Sequence, residues 1–165
     1  MQCFMVPDMK KILTILLLIP ILLCSCSQGE PITSEYFGRV MAEKGFTVED
    51  HTEYLDPNLP ESHDAERIKA WGEFFVCYDK YADSERAQNI FDVWVKYYDS
   101  WEDCEDDCDI QYKSGRYLQV CYTDYDGQEK LFILSRVENT TIQITATLPF
   151  SDSAAELLEE LGYGK

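Results

Sequence analysis

The densest chemistry in this chain lies between Asp99 and Asp109, where seven of eleven residues are acids. Asp103, Glu105, Asp107 and Asp109 alternate there, the spacing with which the first half of a calcium loop presents its oxygens. The helix–loop–helix version of that loop also needs a glycine at its sixth position and a glutamate at its twelfth. Here those positions hold Cys108 and Ser114. What remains is a looser carboxylate set for calcium, weighed against a solvated acidic loop. Anions at a helix C-terminus oppose the macrodipole, so the run also reads as the stop of a preceding helix near Trp101. His51 and His63, with Asp50, Glu53, Glu61 and Asp64 around them, are a second metal candidate. They lack the helical i, i+4 spacing of a zinc site and read as loop histidines.

Four cysteines lie in the downstream part of the chain: Cys77, Cys104, Cys108 and Cys121. An even set in an exported domain reads as disulfides, and four cysteines allow three connectivities. Thiol-exchange chemistry would need a depressed thiol pKa. The acids around Cys104 and Cys108 push the other way, and the spacing is one residue longer than the usual redox motif. Strand alternation favours Cys77–Cys121 and Cys104–Cys108, provided that the strands carrying Cys77 and Cys121 are neighbours. There is no glycine-rich phosphate loop and no nucleophile elbow. Scattered carboxylates in so acidic a chain point to no catalytic pair, and the expected reading is not an enzyme.

The remaining cysteine chemistry is at the start. Lys10 and Lys11 precede an almost wholly apolar run, Ile12 to Leu23, which stops at Leu23-Cys24-Ser25-Cys26. A charged segment and about a dozen apolar residues have the form of a secretory signal, and a membrane span needs roughly 20. Met9 is the start that fits such a signal, ahead of Met1. The boundary resembles the lipobox of bacterial lipoproteins, with Leu23 three residues before the acceptor and Ser25 just before it. The resemblance covers residues 9–26. It implies that residues 1–25 are removed and that Cys26 carries a diacylglycerol. Cys24 is the alternative acceptor, disfavoured by the bulky Leu23 before it. Two acyl chains hold firmly where one is marginal. The chain would then be lipid-anchored on the extracytoplasmic face of the cell membrane, on a tether (residues 26–31) reaching at most about 20 Å.

The elements that must position all of this form one expected domain, residues 32–165. The full chain carries 14 basic and 31 acidic residues, a net charge of −17. Residues 1–25 contribute +1, which leaves −18 for the rest. Such a surface repels nucleic acid and anionic lipid and favours neutral or cationic partners. Thr33 caps a first helix that ends at Gly45, with Phe37, Val40 and Met41 on one face. Residues 46–48 alternate as a short strand, and 50–69 reads as a long loop. Residues 71–78 read as a strand, and Asp83 or Ser84 starts a second helix carrying Ala87, Ile90, Phe91, Trp94, Tyr98 and Trp101. Strands over 117–123, 130–137 and 141–148 follow, the first two joined by the Asp126-Gly127 hairpin turn. Ser153 and Glu156 form a capping box for a last helix that ends at Gly162.

The expected class is α+β in the order α-β-β-α-β-β-β-α: about five antiparallel strands in two layers, helices on one face. That face would hold Leu118, Val120 and Tyr122 together with Ile142, Ile144 and Ala146. This arrangement resembles ferredoxin-like and related domains of small lipoproteins. The function expected is a non-catalytic binding or interaction module. The acidic loop as a divalent-cation site stands second and an unrecognised hydrolase third.

Overall fold

The computed structural model describes residues 30–55, 64–102 and 108–165, without the side chains of 101 and 102. Residues 1–29, 56–63 and 103–107 lie outside the described residues, and with them Cys24, Cys26, His63, Glu61, Asp103, Cys104, Glu105 and Asp107. The protein is α+β, built on one open antiparallel sheet of seven strands. In chain order the elements are α1 (Ser34–Glu43), β1 (Thr47–Asp50), β2 (Glu66–Trp71), β3 (Phe75–Lys80), α2 (Ser84–Glu102), β4 (Cys108–Lys113), β5 (Tyr117–Thr123), β6 (Glu129–Val137), β7 (Thr140–Thr147) and α3 (Ser151–Glu160), with 3₁₀ turns at Thr52–Tyr54 and Leu148–Phe150. In space the strands run β1-β2-β3-β7-β6-β5-β4. Two meanders therefore meet at the β3–β7 pair. α2 carries the chain from β3 across the sheet to its far edge.

Local signals set most element ends. Thr33 Oγ1 accepts from Tyr36 N at 3.1 Å, closing the start of α1, and Asp83 Oδ1 accepts from Arg86 N at 2.8 Å at the start of α2. The β5–β6 turn is held by Asp124 Oδ1, which accepts from the backbone of Asp126 and Gln128. Gly127 there has φ +74°, a left-handed conformation that glycine adopts without strain.

The expected five strands are seven, for two reasons. Residues 71–78 do not form one strand: Gly72 and Glu73 turn the chain back into a β2–β3 hairpin. A side chain at Gly72 would stand 2.7 Å from the Phe46 ring, so the turn needs glycine. The last four residues of the expected loop 50–69 belong to β2, where Ile68 and Ala70 alternate with Arg67 and Lys69. At the other edge the acidic run gives way to β4, paired with β5. The capping box is also corrected. α3 begins at Ser151, ahead of Ser153, and Phe150 precedes it with no side-chain cap.

The helices cover both faces of the sheet. α1 and α3 lie on one face. Phe37, Val40, Met41, Leu157 and Leu158 pack there against Val76, Tyr78, Ile133, Ile142, Ile144 and Ala146. α2 lies on the other, where Phe91 and Tyr98 pack against Leu118, Val120, Phe132 and Leu134. Thus Leu118 and Val120 do not share a face with Ile142 and Ile144, contrary to the expectation of a two-layer domain. Strand alternation makes this unavoidable: Val120 pairs with Phe132, and Ile133, one residue on, pairs with Ile144. The chain enters on the α1/α3 face, where the Ile32 carbonyl accepts from Tyr78 Oη at 2.7 Å.

Candidate functional site

α2 is too narrow to cover its whole face of the sheet. It rests over β4, β6 and β7 and leaves a groove along β2 and β3, a cavity of about 630 Å³. That volume suits a small molecule. The floor consists of three rows that the register lays across β2, β3 and β7. Arg67, Asp79 and Thr141 form the first row, Lys69, Cys77 and Gln143 the second, and Trp71, Phe75 and Thr145 the third. Ile90, Val93 and Trp94 of α2 make one wall, and Tyr54 and Leu55 of the first 3₁₀ turn stand at the far side.

The first row is closed chemically. Arg67 donates through Nε to Asp79 Oδ1 at 2.6 Å and through its terminal nitrogen to Oδ2 at 2.9 Å. Tyr81 Oη adds a hydrogen bond to the same carboxylate at 3.3 Å. The paired Asp79 holds the guanidinium above its ordinary pKa. Burial first, then the Asp79 charge, pushes the Tyr81 phenol up. The second row is open. The Cys77 thiol is buried and pushed up to about 12, by desolvation and then by Asp79. Lys69 and Gln143 have no side-chain hydrogen bond or ion pair among the described residues. Glu49 lies across from Lys69 on β1, but its carboxylate is engaged with His51 Nε2 at 3.1 Å.

The third row is aromatic. Trp71 and Phe75 have ring centroids 5.8 Å apart, His51 lies 5.4 Å from Trp71, and Tyr54 lies 5.0 Å from His51. The groove thus grades from a locked ion pair, through uncommitted donors, to an aromatic end. Arg67 is held as a cation, and the Cys77 thiol and the Tyr81 phenol are held neutral. The arrangement can bind and orient a ligand.

The residues singled out in the sequence are distributed differently. Cys77 and Cys121 do not come together. β7 and β6 separate their strands, and the side chains face opposite ways: Cys121 packs on the α1/α3 side, while Cys77 lines the groove under α2. The Cys77 and Cys121 thiols are both free. The expected pairing required neighbouring strands, and the inserted β7 and β6 remove that condition. The Cys104–Cys108 pairing falls outside the described residues. Of the acidic set only Asp109 is described, on β4 opposite Cys121. Among the described residues no three His, Cys, Asp or Glu side chains converge to hold a metal. His51 belongs to the aromatic row. The groove residues were missed because β2 read as loop. The alternation of Arg67, Ile68, Lys69 and Ala70 was the signal that could have placed them.

No family model, curated protein or solved structure matches this chain.

Proposed function

We propose that this protein is an exported, lipid-anchored binding domain whose ligand site is the groove between α2 and strands β2, β3 and β7. Its signal-like residues 9–25 and the lipobox-like Cys26 support anchoring on the extracytoplasmic side of the cell membrane. The observation that carries the binding role is the floor of the groove. An ammonium and an amide, both without a partner among the described residues, stand there between a closed ion pair and an aromatic row. Both groups reach solvent inside the groove, so a ligand can take the place of water as their partner.

The anchor and the groove are compatible. The described chain enters on the α1/α3 face, so the groove opens on the opposite face of the sheet, away from the attachment. The net charge keeps the domain off anionic lipid and makes nucleic acid a poor partner. Macromolecular partners of this surface are neutral or cationic. The acidic stretch as a calcium site is the second reading, and residues 103–109 carry it.

Val93 is an exposed helix residue at the groove wall, so Val93→Trp narrows the groove without touching the core. A screen of small-molecule fragments by ligand-observed NMR on the purified chain tests the site. Hits that bind the wild type and vanish with Val93→Trp are expected. Hits indifferent to that substitution would place binding elsewhere and overturn the reading.

A further inference from the structure

Lys69 is unusual among the described lysines of this acidic protein. Lys44, Lys80, Lys113 and Lys130 each lie within ion-pair distance of a carboxylate, and Lys165 lies over the Tyr112 and Tyr117 rings. Lys96 is exposed on α2. Lys69 is part-buried on a strand, inside a groove, with no acid partner among the described residues. The groove's own carboxylate, Asp79, is saturated by the two-pronged bond from Arg67 and the Tyr81 hydroxyl. Among the described residues two cations and one acid therefore line it, and the unmatched charge sits in the middle row.

Beside Lys69 in that row, the register sets Cys77 and then Gln143, whose amide also lacks a partner among the described residues. One row further the surface turns aromatic, with Phe75 on the floor and Trp94 on the wall. An ammonium and an amide N–H are both donors, and charge-assisted bonds to a carboxylate are the strongest they can make. A cationic ligand would meet Lys69 and Arg67, and the one carboxylate among the described lining residues, Asp79, is already paired. A neutral ligand would leave the ammonium unmatched.

Resting on the groove as the binding site, we propose that its ligand class is a small monocarboxylate with an aromatic or alkyl body. The carboxylate lies between the Lys69 ammonium and the Gln143 amide, and the body lies along Phe75 and Trp94. The net negative charge of the protein does not exclude such a ligand. Exposed charges are screened beyond about 8 Å at physiological ionic strength, and a monoanion meets the local cation at contact distance. Polyanions accumulate the unfavourable long-range field and are rejected.

The test uses three isosteric probes on the full chain: 3-phenylpropionate, 3-phenylpropionamide and 3-phenylpropylamine. Affinities come from ligand-observed NMR titration. The carboxylate is expected to bind more tightly than the amide and the amine by roughly ten- to a hundredfold. Lys69→Met should remove that preference, and Gln143→Leu should reduce it in part. Unchanged dispersion of the protein's own NMR spectrum shows that both variants are folded. Should Lys69→Met unfold the chain, Lys69→Gln and Gln143→Leu carry the same comparison. Tighter binding of the amine or the amide, abolished by Val93→Trp, would overturn the carboxylate and leave the groove standing. A carboxylate preference that survives Lys69→Met, or binding of none of the three, would overturn the proposal. Binding untouched by Val93→Trp would overturn the groove itself.

Discussion

Cys77 shows how one residue records the character of the groove. Its thiol is buried beside Asp79, both of which raise its pKa from 9.0 to about 12. The neutral form is therefore the folded form well above the pH at which an unfolded cysteine ionises. Because the folded pKa is raised, this contribution to stability is complete below pH 9 and is lost as pH rises from 9 to 12. The loss is at most roughly 1.4 kcal/mol per pH unit. Urea midpoints measured from pH 8 to 11 should fall more steeply for the wild type than for Cys77→Ala, which has no thiol to ionise. Parallel slopes would mean that the thiol is wetter than its position implies. Arg67, Asp79 and Tyr81 make the complementary point: side chains whose bonds are satisfied by one another hold the frame, and Lys69 and Gln143, without partners among the described residues, are the groups proposed to meet a ligand.

At the scale of elements, covering both sheet faces has a direct energetic consequence. Ile144 and Leu118 are both fully buried, one under α1 and α3 and the other under α2. Ile144→Ala and Leu118→Ala should each destabilise by about 2–5 kcal/mol in urea unfolding. A large effect for Ile144 with a small one for Leu118 would mean that α2 does not seal its face. Helices and tight turns were legible in the sequence because their determinants are local. Thr33, Asp83, Gly45 and Gly127 stand where a cap or turn needs them, and the face of α1 follows from Phe37, Val40 and Met41. Strand pairing was less legible because it is decided by residues far apart. The alternation in β7 was plain, but nothing near it says that its other neighbour is β3. Nor does local pattern say which face of the sheet α2 will cover. The second ambiguity misplaced Leu118 and Val120, and the first, the strand order, joined Cys77 to Cys121. The groove was illegible for the same reason, since its rows are drawn from β2, β3 and β7 and exist only in the assembled sheet.

For the whole molecule, the proposed anchor and the proposed binding site stand on separate observations. The anchor rests on residues 9–26. Expressed in a bacterium with a lipoprotein pathway, the protein should partition to membranes and incorporate labelled fatty acid. Cys26→Ser should abolish both, and Cys24→Ser should leave them. Retained labelling in Cys26→Ser would move the acceptor. The binding site rests on the asymmetry of the fold: two helices share one face of the sheet and one helix only part-covers the other. Two shallower clefts compete with the groove. One lies between α1 and α3 around Tyr36, Arg39 and Glu160, and the other lies at the β4–β5 edge around Cys108, Cys121 and Glu129. Backbone-amide shift mapping of the labelled protein with 3-phenylpropionate separates the three directly. The largest shifts are expected at Lys69, Phe75, Cys77, Trp94 and Gln143, on three different strands and one helix. Shifts confined to Tyr36–Lys44 or to Cys108–Gln111 and Cys121–Thr123 would contradict the groove as the site of binding.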